Sequence, residues 1–127
     1  MSAFSNYLEN KVMGHVFGAS AYVAPTTLYL ALYTSDPGEG NTGTEVSGGS
    51  YARQTIAFTI TNNLASNTSA IEFPVATGTW GTVTHIGVMD SLTTGNLLAY
   101  AQLTASKAVS AGDALRFPAG DIDITLD

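Results

Sequence analysis

The stretch Thr27-Leu28-Tyr29-Leu30-Ala31-Leu32-Tyr33-Thr34 decides how the chain folds. Leu28, Leu30 and Leu32 fall on one side of an extended chain and Tyr29, Ala31 and Tyr33 on the other, because successive strand side chains point to opposite faces. Gln54 to Ile60 alternates again, with Ile56, Phe58 and Ile60 expected inward. Further short strands are predicted at Ala70 to Phe73, Val83 to Met89, Leu97 to Leu103, Lys107 to Val109, Ala114 to Phe117 and Ile122 to Leu126. Turn-forming clusters separate them at 36–49, 62–66, 90–96, 110–113 and 118–121. About seven or eight short antiparallel strands predict a mainly β fold, an antiparallel β-sandwich or jelly roll. The strand pattern leaves no room for crossover helices, which excludes a parallel α/β fold.

Upstream of that stretch the period changes. Phe4, Leu8, Val12 and Val16 recur every four residues, with Tyr7, Met13 and Phe17 widening the stripe. This predicts one α-helix over 2–17, capped by Ser2 and ended by Gly18. Gly14 weakens it by about 1 kcal/mol relative to Ala. The helix must bury its stripe on its own domain or on a neighbour, and docking on the domain is the expectation. The sequence has no repeat and no linker, so one domain is expected over 1–127, with the sandwich over 27–127. Residues 35–50, SDPGEGNTGTEVSGGS, form one long Gly-rich loop, either flexible or ordered by a neighbour.

Composition narrows the function. Of 127 residues only 11% are charged, and ten acids against four bases give a net charge of −6. Lys11, Arg53, Lys107 and Arg116 are too few to track phosphates, so neither nucleic acid nor an anionic membrane surface is an expected partner. No apolar run approaches the ~20 residues that span a bilayer. The start, MSAFSNYLENKVMGH, lacks the basic and apolar regions of a signal peptide. The absence of Cys removes disulfides, thiolate metal sites and thiol nucleophiles. A charge-poor surface packs against other proteins at low desolvation cost.

No motif for chemistry stands out. Gly38, Gly40 and Gly43 match G-x-G-x-x-G, but no strand-to-helix junction follows to hold a pyrophosphate. Asp36, Glu39, Asn41 and Glu45 lack the spacing of a calcium loop. Asp121, Asp123 and Asp127 read as edge charges that deter strand addition. His15 and His85 have no partner at ligand spacing, and there is no G-x-S-x-G elbow. A hydrolase would require His85 beside a nucleophile and an acid. Hence no catalytic residue, metal site or cofactor is expected. Asn67-Thr68-Ser69 is an incidental sequon. Three residues suit an interface: Trp80 in Gly78-Thr79-Trp80-Gly81-Thr82, and Tyr51 and Arg53 after Gly48-Gly49. The competing readings are core filling for Trp80 and pairing with a local acid for Arg53.

Several segments together resemble a family of small tailed-phage virion proteins: SNYLENKVMGHVFG, APTTLYLALYTSDP, TEVSGGSYARQ, WGTVTHIGVMDSLTTGNLLAYAQLTASKAV and AGDALRFPAGDIDITL. Members of this family often carry the label tail fibre protein, and the chain is similar to β-rich capsid cement (decoration) proteins. The resemblance implies a structural protein of the virion, made in the host cytoplasm, with no catalytic residues. It implies first a cement protein on the capsid exterior, binding the major capsid protein and itself, as a homotrimer, and stabilising the head. The alternative is a tail fibre or tail-tip protein binding a host surface glycan. A chain of this length makes a tip or an adaptor and not a shaft, which favours cement.

Overall fold

A computed structural model describes residues 2–126. The fold is mainly β with a single N-terminal helix. In chain order the elements are β1 (Ser2–Phe4), α1 (Asn6–Phe17), β2 (Leu28–Tyr33), β3 (Gln54–Ile56), β4 (Phe58–Thr61), β5 (Leu64–Asn67), β6 (Ile71–Glu72), β7 (Gly81–Met89), β8 (Leu97–Val109), β9 (Arg116–Phe117) and β10 (Asp123–Thr125). All strand pairs are antiparallel. They form a five-stranded sheet in the order β1-β8-β7-β2-β3, a three-stranded sheet β10-β5-β4 and a two-stranded ribbon β6-β9.

The alternation of residues 27–34 sets the layers. Leu30 and Leu32 are fully buried on one face of the large sheet, in a core shared with Val83, Ile86, Ile71, Phe73, Trp80 and Phe117. The two small sheets therefore cover that face and make the second layer of the sandwich. The opposite face carries Tyr29, Ala31 and Tyr33, which pack with Met89, Leu97 and Tyr100. Gly87 lies in the middle of this second face. A Cβ there would sit 2.8 Å from Tyr33 Cε1 and Leu97 Cδ1, so the close approach of those side chains needs glycine.

Several expectations change. Ser2 does not cap the helix, because residues 2–4 pair with Ala99 to Ala101 of β8 as an edge strand. The cap is Ser5, whose Oγ accepts from the Leu8 N–H at 3.2 Å and donates to the Leu97 carbonyl. The predicted strand 54–60 is broken after Ile56: β3 belongs to the large sheet and β4 to the small one, so the chain changes layers there, and Ile60 is exposed. The cluster 62–66 is not all turn, since β5 begins at Leu64 behind a tight turn at Asn62, whose φ is +55°. Finally, the segments 97–103 and 107–109 belong to one strand, β8. The expectation at Asp127 lies outside the described residues.

The loop 35–50 is ordered by the chain's own bonds. Thr34 N–H donates to the Thr44 carbonyl and Val46 N–H to the Leu32 carbonyl, so the loop returns along β2. Within the loop, Pro37 is fully buried.

The helix differs most from expectation. Leu8 and Val12 are half-buried, but no residue of α1 is buried, and Met13, Val16 and Phe17 are exposed. Its ends are nevertheless tied. Asn6 N–H donates to the Glu39 carbonyl, Gly18 and Ser20 N–H both donate to the Gly14 carbonyl, and Tyr22 N–H donates to His15 Nδ1.

Candidate functional site

Tyr51 and Arg53 come together around an acid that sequence reasoning left in the loop. Arg53 presents its planar fork to Glu45: Nε donates to Oε2 and Nη2 to Oε1, each at 2.8 Å. Arg53 Nη1 donates to the carbonyls of Ser91 and Thr94, both at 2.8 Å. Tyr51 OH donates to Glu45 Oε2 at 2.6 Å and accepts from the Leu32 N–H at 3.0 Å. The network thereby ties the β2–β3 connection to the loop after β7 through Arg53, and to β2 through Tyr51. Bidentate pairs are the stronger and more directional kind. The Arg53 side chain is only 8% exposed.

The electrostatics follow from this packing. Burial pushes the Glu45 carboxyl up, but the hydrogen bonds from Arg53 and Tyr51 outweigh it and hold the group below its ordinary value. Burial and the adjacent Glu45 push the Tyr51 phenol well up. Burial, with the Glu45 charge added, raises Tyr33 to about 12, and its hydroxyl donates to Asn41 Oδ1 at 2.8 Å. A shallow cleft of about 400 Å³ opens beside the network, lined in part by Glu45, Tyr51, Arg53, Leu92 and Thr94. Its charges are already neutralised within the protein, so it offers a small ligand no unpaired ion.

Trp80 is placed differently. It is 5% exposed, and its Nε1–H donates to the Gly49 carbonyl at 2.9 Å. Its ring meets Tyr51 and Phe73 edge-on at centroid distances of 5.5 and 6.4 Å. Gly49 has a φ of +57°, and a Cβ there would meet the indole nitrogen at 2.9 Å. The Gly48-Gly49 pair thus lets the backbone cover the indole. Trp80 fills the core and presents no ring face to solvent.

The other motifs disperse. Asp36 Oδ1 accepts from the Gly38 N–H, Asn41 serves Tyr33 and Glu45 serves Arg53, so the loop acids do not converge. Among the described residues no group of three or more His, Asp or Glu side chains is placed to hold a metal. No helix of the described residues is long and apolar enough to cross a membrane. His85 Nδ1 lies 2.8 Å from Thr84 Oγ1, and its Nε2 lies 3.8 Å from Asp36 Oδ1, beyond hydrogen-bond range. Asn67 of the sequon is buried, with its amide donating to the carbonyls of Ser69 and Pro118 and accepting from the Ile122 N–H. It is a fastening between the two small sheets.

A second cleft lies elsewhere and was not legible in the sequence. β7 and β8 pair Val83 with Lys107 and His85 with Gln102. One residue of β7, Thr84, therefore faces four of β8, residues 103–106. A cleft of about 460 Å³ lies beside this bulge. Ile86, Leu103, Phe117 and Ile122 contribute apolar lining, while Lys107 and Asp121 are among its charged groups. Only an interruption of the ladder signals it, and sequence alternation does not carry that information.

Residues 3–125 match the family described as Podophage GP4 fiber I protein gp80. The chain belongs to this family. The match covers nearly the whole sequence and agrees with the resemblance to tailed-phage proteins labelled as tail fibre. No curated protein matches the chain. A member of a phage fibre family is a virion component, and the family description fits the tail-fibre expectation better than the capsid-cement one.

Proposed function

We propose that this protein is a structural component of the phage tail fibre, acting by adhesion to neighbouring copies and virion proteins and catalysing no reaction. The observation that carries this reading is the family match over residues 3–125. The fold is compatible with it. Arg53, Glu45 and Tyr51 are consumed in holding loops, and His85 has its imidazole pinned by a neighbouring hydroxyl. The charge-poor composition supports contact through uncharged surface. Host-glycan binding belongs to the same reading, but Trp80 is not its platform. A glycan would have to meet half-exposed groups elsewhere.

Gold-labelled antibody on purified particles, together with copies per particle, tests the assignment. Label on the tail with a copy number following tail symmetry is the expected result. Label over the head, at a copy number matching the many equivalent sites of a shell, would replace this reading with capsid cement bound to the major capsid protein. Unchanged infectivity of a His85→Gln phage is expected, and hydrolysis lost in that variant would overturn the non-enzymatic part.

A further inference from the structure

The outer edge of β8 is the least finished part of the large sheet. β8 runs from Leu97 to Val109, and β1 covers only Ala99 to Ala101 on its outer side. Beyond Ala101 no strand continues β1, and among the described residues the backbone of 102–108 bonds to no segment other than β7. On the β7 side, residues 103–106 face Thr84 alone. Residues 102–109, at about 3.3 Å each, make an edge of roughly 26 Å, long enough for a strand of ordinary length. Residues 104–108 are exposed along it.

The cleft of about 460 Å³ lies along this edge. Its floor is the sandwich core itself: Ile86, Leu115, Phe117 and Ile122 are buried there, with Ala101 and Leu103 half-buried. β9 and β10, each the last strand of its own sheet, also line it. The rim carries both signs of charge. Arg116 is held by Glu72 at 3.0 Å, and Asp123 accepts from Ser66 Oγ at 2.6 Å. Lys107 and the Asp121 carboxyl have no hydrogen-bond or ion-pair partner among the described residues. An open sheet edge, an apolar floor and two unmatched charges of opposite sign therefore lie side by side.

We propose that this edge and cleft receive an extended polypeptide segment of another virion protein, added to β8 as a further strand. Three features select that occupant. Only an extended polypeptide offers N–H and C=O groups in the alternation that a sheet edge requires. A strand added to β8 sets every second side chain over the floor, so the segment is apolar at alternate positions. Lys107 and Asp121 are matched by one acid and one base on it, which gives a segment without net charge. A second copy of this chain fits less well, because it brings its own −6. A lysine and a bulge are devices that keep an edge from pairing at random. Here they narrow the choice of partner and leave the apolar floor uncovered. The inference rests on the adhesive reading above and names a surface and the kind of segment it holds.

Hydrogen exchange read by mass spectrometry compares the free chain with the same chain in purified particles. The amides of 102–108 are expected to exchange at least about tenfold more slowly in the particle. Because the chain has no Cys, Ser106→Cys installs a sole thiol for a benzophenone maleimide. Irradiated particles are expected to give an adduct with a different virion protein, mapped to a segment apolar at alternate positions. Thr104→Pro and Ala105→Pro each remove one N–H at the bulge, where few ladder bonds are at stake. At least one of them is expected to melt as wild type and yet enter particles at least about tenfold less, while Ala105→Ser enters normally. If neither proline variant folds, the exchange and the adduct decide. Unchanged exchange at 102–108 in the particle overturns the proposal. So does an adduct with a second copy of this chain or with a strongly charged segment, full entry of both folded proline variants, or protection by a purified host polysaccharide in place of the particle. A head location with a protected edge would overturn the fibre assignment and leave this surface standing.

Discussion

Arg53 and Phe17 show how differently two regions of this protein finish their surfaces. Around Arg53 a bidentate carboxylate, a phenol and two carbonyls satisfy one another within the chain. Around Phe17 a tethered helix leaves its apolar side chains to solvent. In sequence the Arg53 region has the marks of a contact site, with an Arg and a Tyr after a glycine pair, yet its role is architectural. The Phe17 region has the marks of architecture, an amphipathic helix expected to dock, yet it is the open one. A polar cluster that closes on itself has nothing left for a partner, whereas an apolar face that closes on nothing does.

The largest effect that could break this contrast is at the ion pair. Arg53→Ala leaves Glu45 half-buried without its cation, and losing one partner of a buried pair costs about 3–5 kcal/mol. Urea denaturation is expected to show a loss of that order, with Arg53→Lys restoring only part because it lacks the fork. A loss under about 1 kcal/mol would mean the network is not what holds the loops.

Gly87→Ala comes next. Its methyl would press on Tyr33 and Leu97 at 2.8 Å, and overpacking costs about 1–3 kcal/mol. A melt unchanged from wild type would show that the outer face of the large sheet is looser than its distances indicate.

The acid side sharpens the same comparison. The folded-state value of Glu45 lies below its ordinary value of 4.5. Its contribution is therefore complete above pH of about 4.5 and is lost as pH falls through the lowered folded value. Glu45→Gln is expected to flatten the stability profile in that acidic window and to leave its shape at neutral pH unchanged. A wild-type profile that falls between about pH 6 and 8 in step with Glu45 would contradict the sign.

The smallest effect belongs to the helix. Phe17→Ser is expected to change the stability of the dilute monomer by less than about 0.5 kcal/mol, since the residue is mostly exposed. A larger loss in a dilute melt would place Phe17 in the fold and remove it from the open face.

The period of two in residues 27–34 was enough to give the β class and the large sheet's two faces, because side-chain direction along a strand is a local property. The four-residue spacing after Phe4 was likewise enough for a helix. Charge and the absent thiols narrowed the chemistry without any structure. The segments around Tyr51, Trp80 and Leu97 carried the phage-family resemblance. Which face of α1 is covered, that Glu45 is the acid beneath Arg53, that Trp80 is roofed by Gly49, and that a cleft lies beside a four-residue bulge in β8 were set only by tertiary packing. Each depends on segments far apart in the chain meeting in space. Burial and pairing are properties of that meeting, and alternation is the same whether the neighbour is the chain's own core, another copy or water.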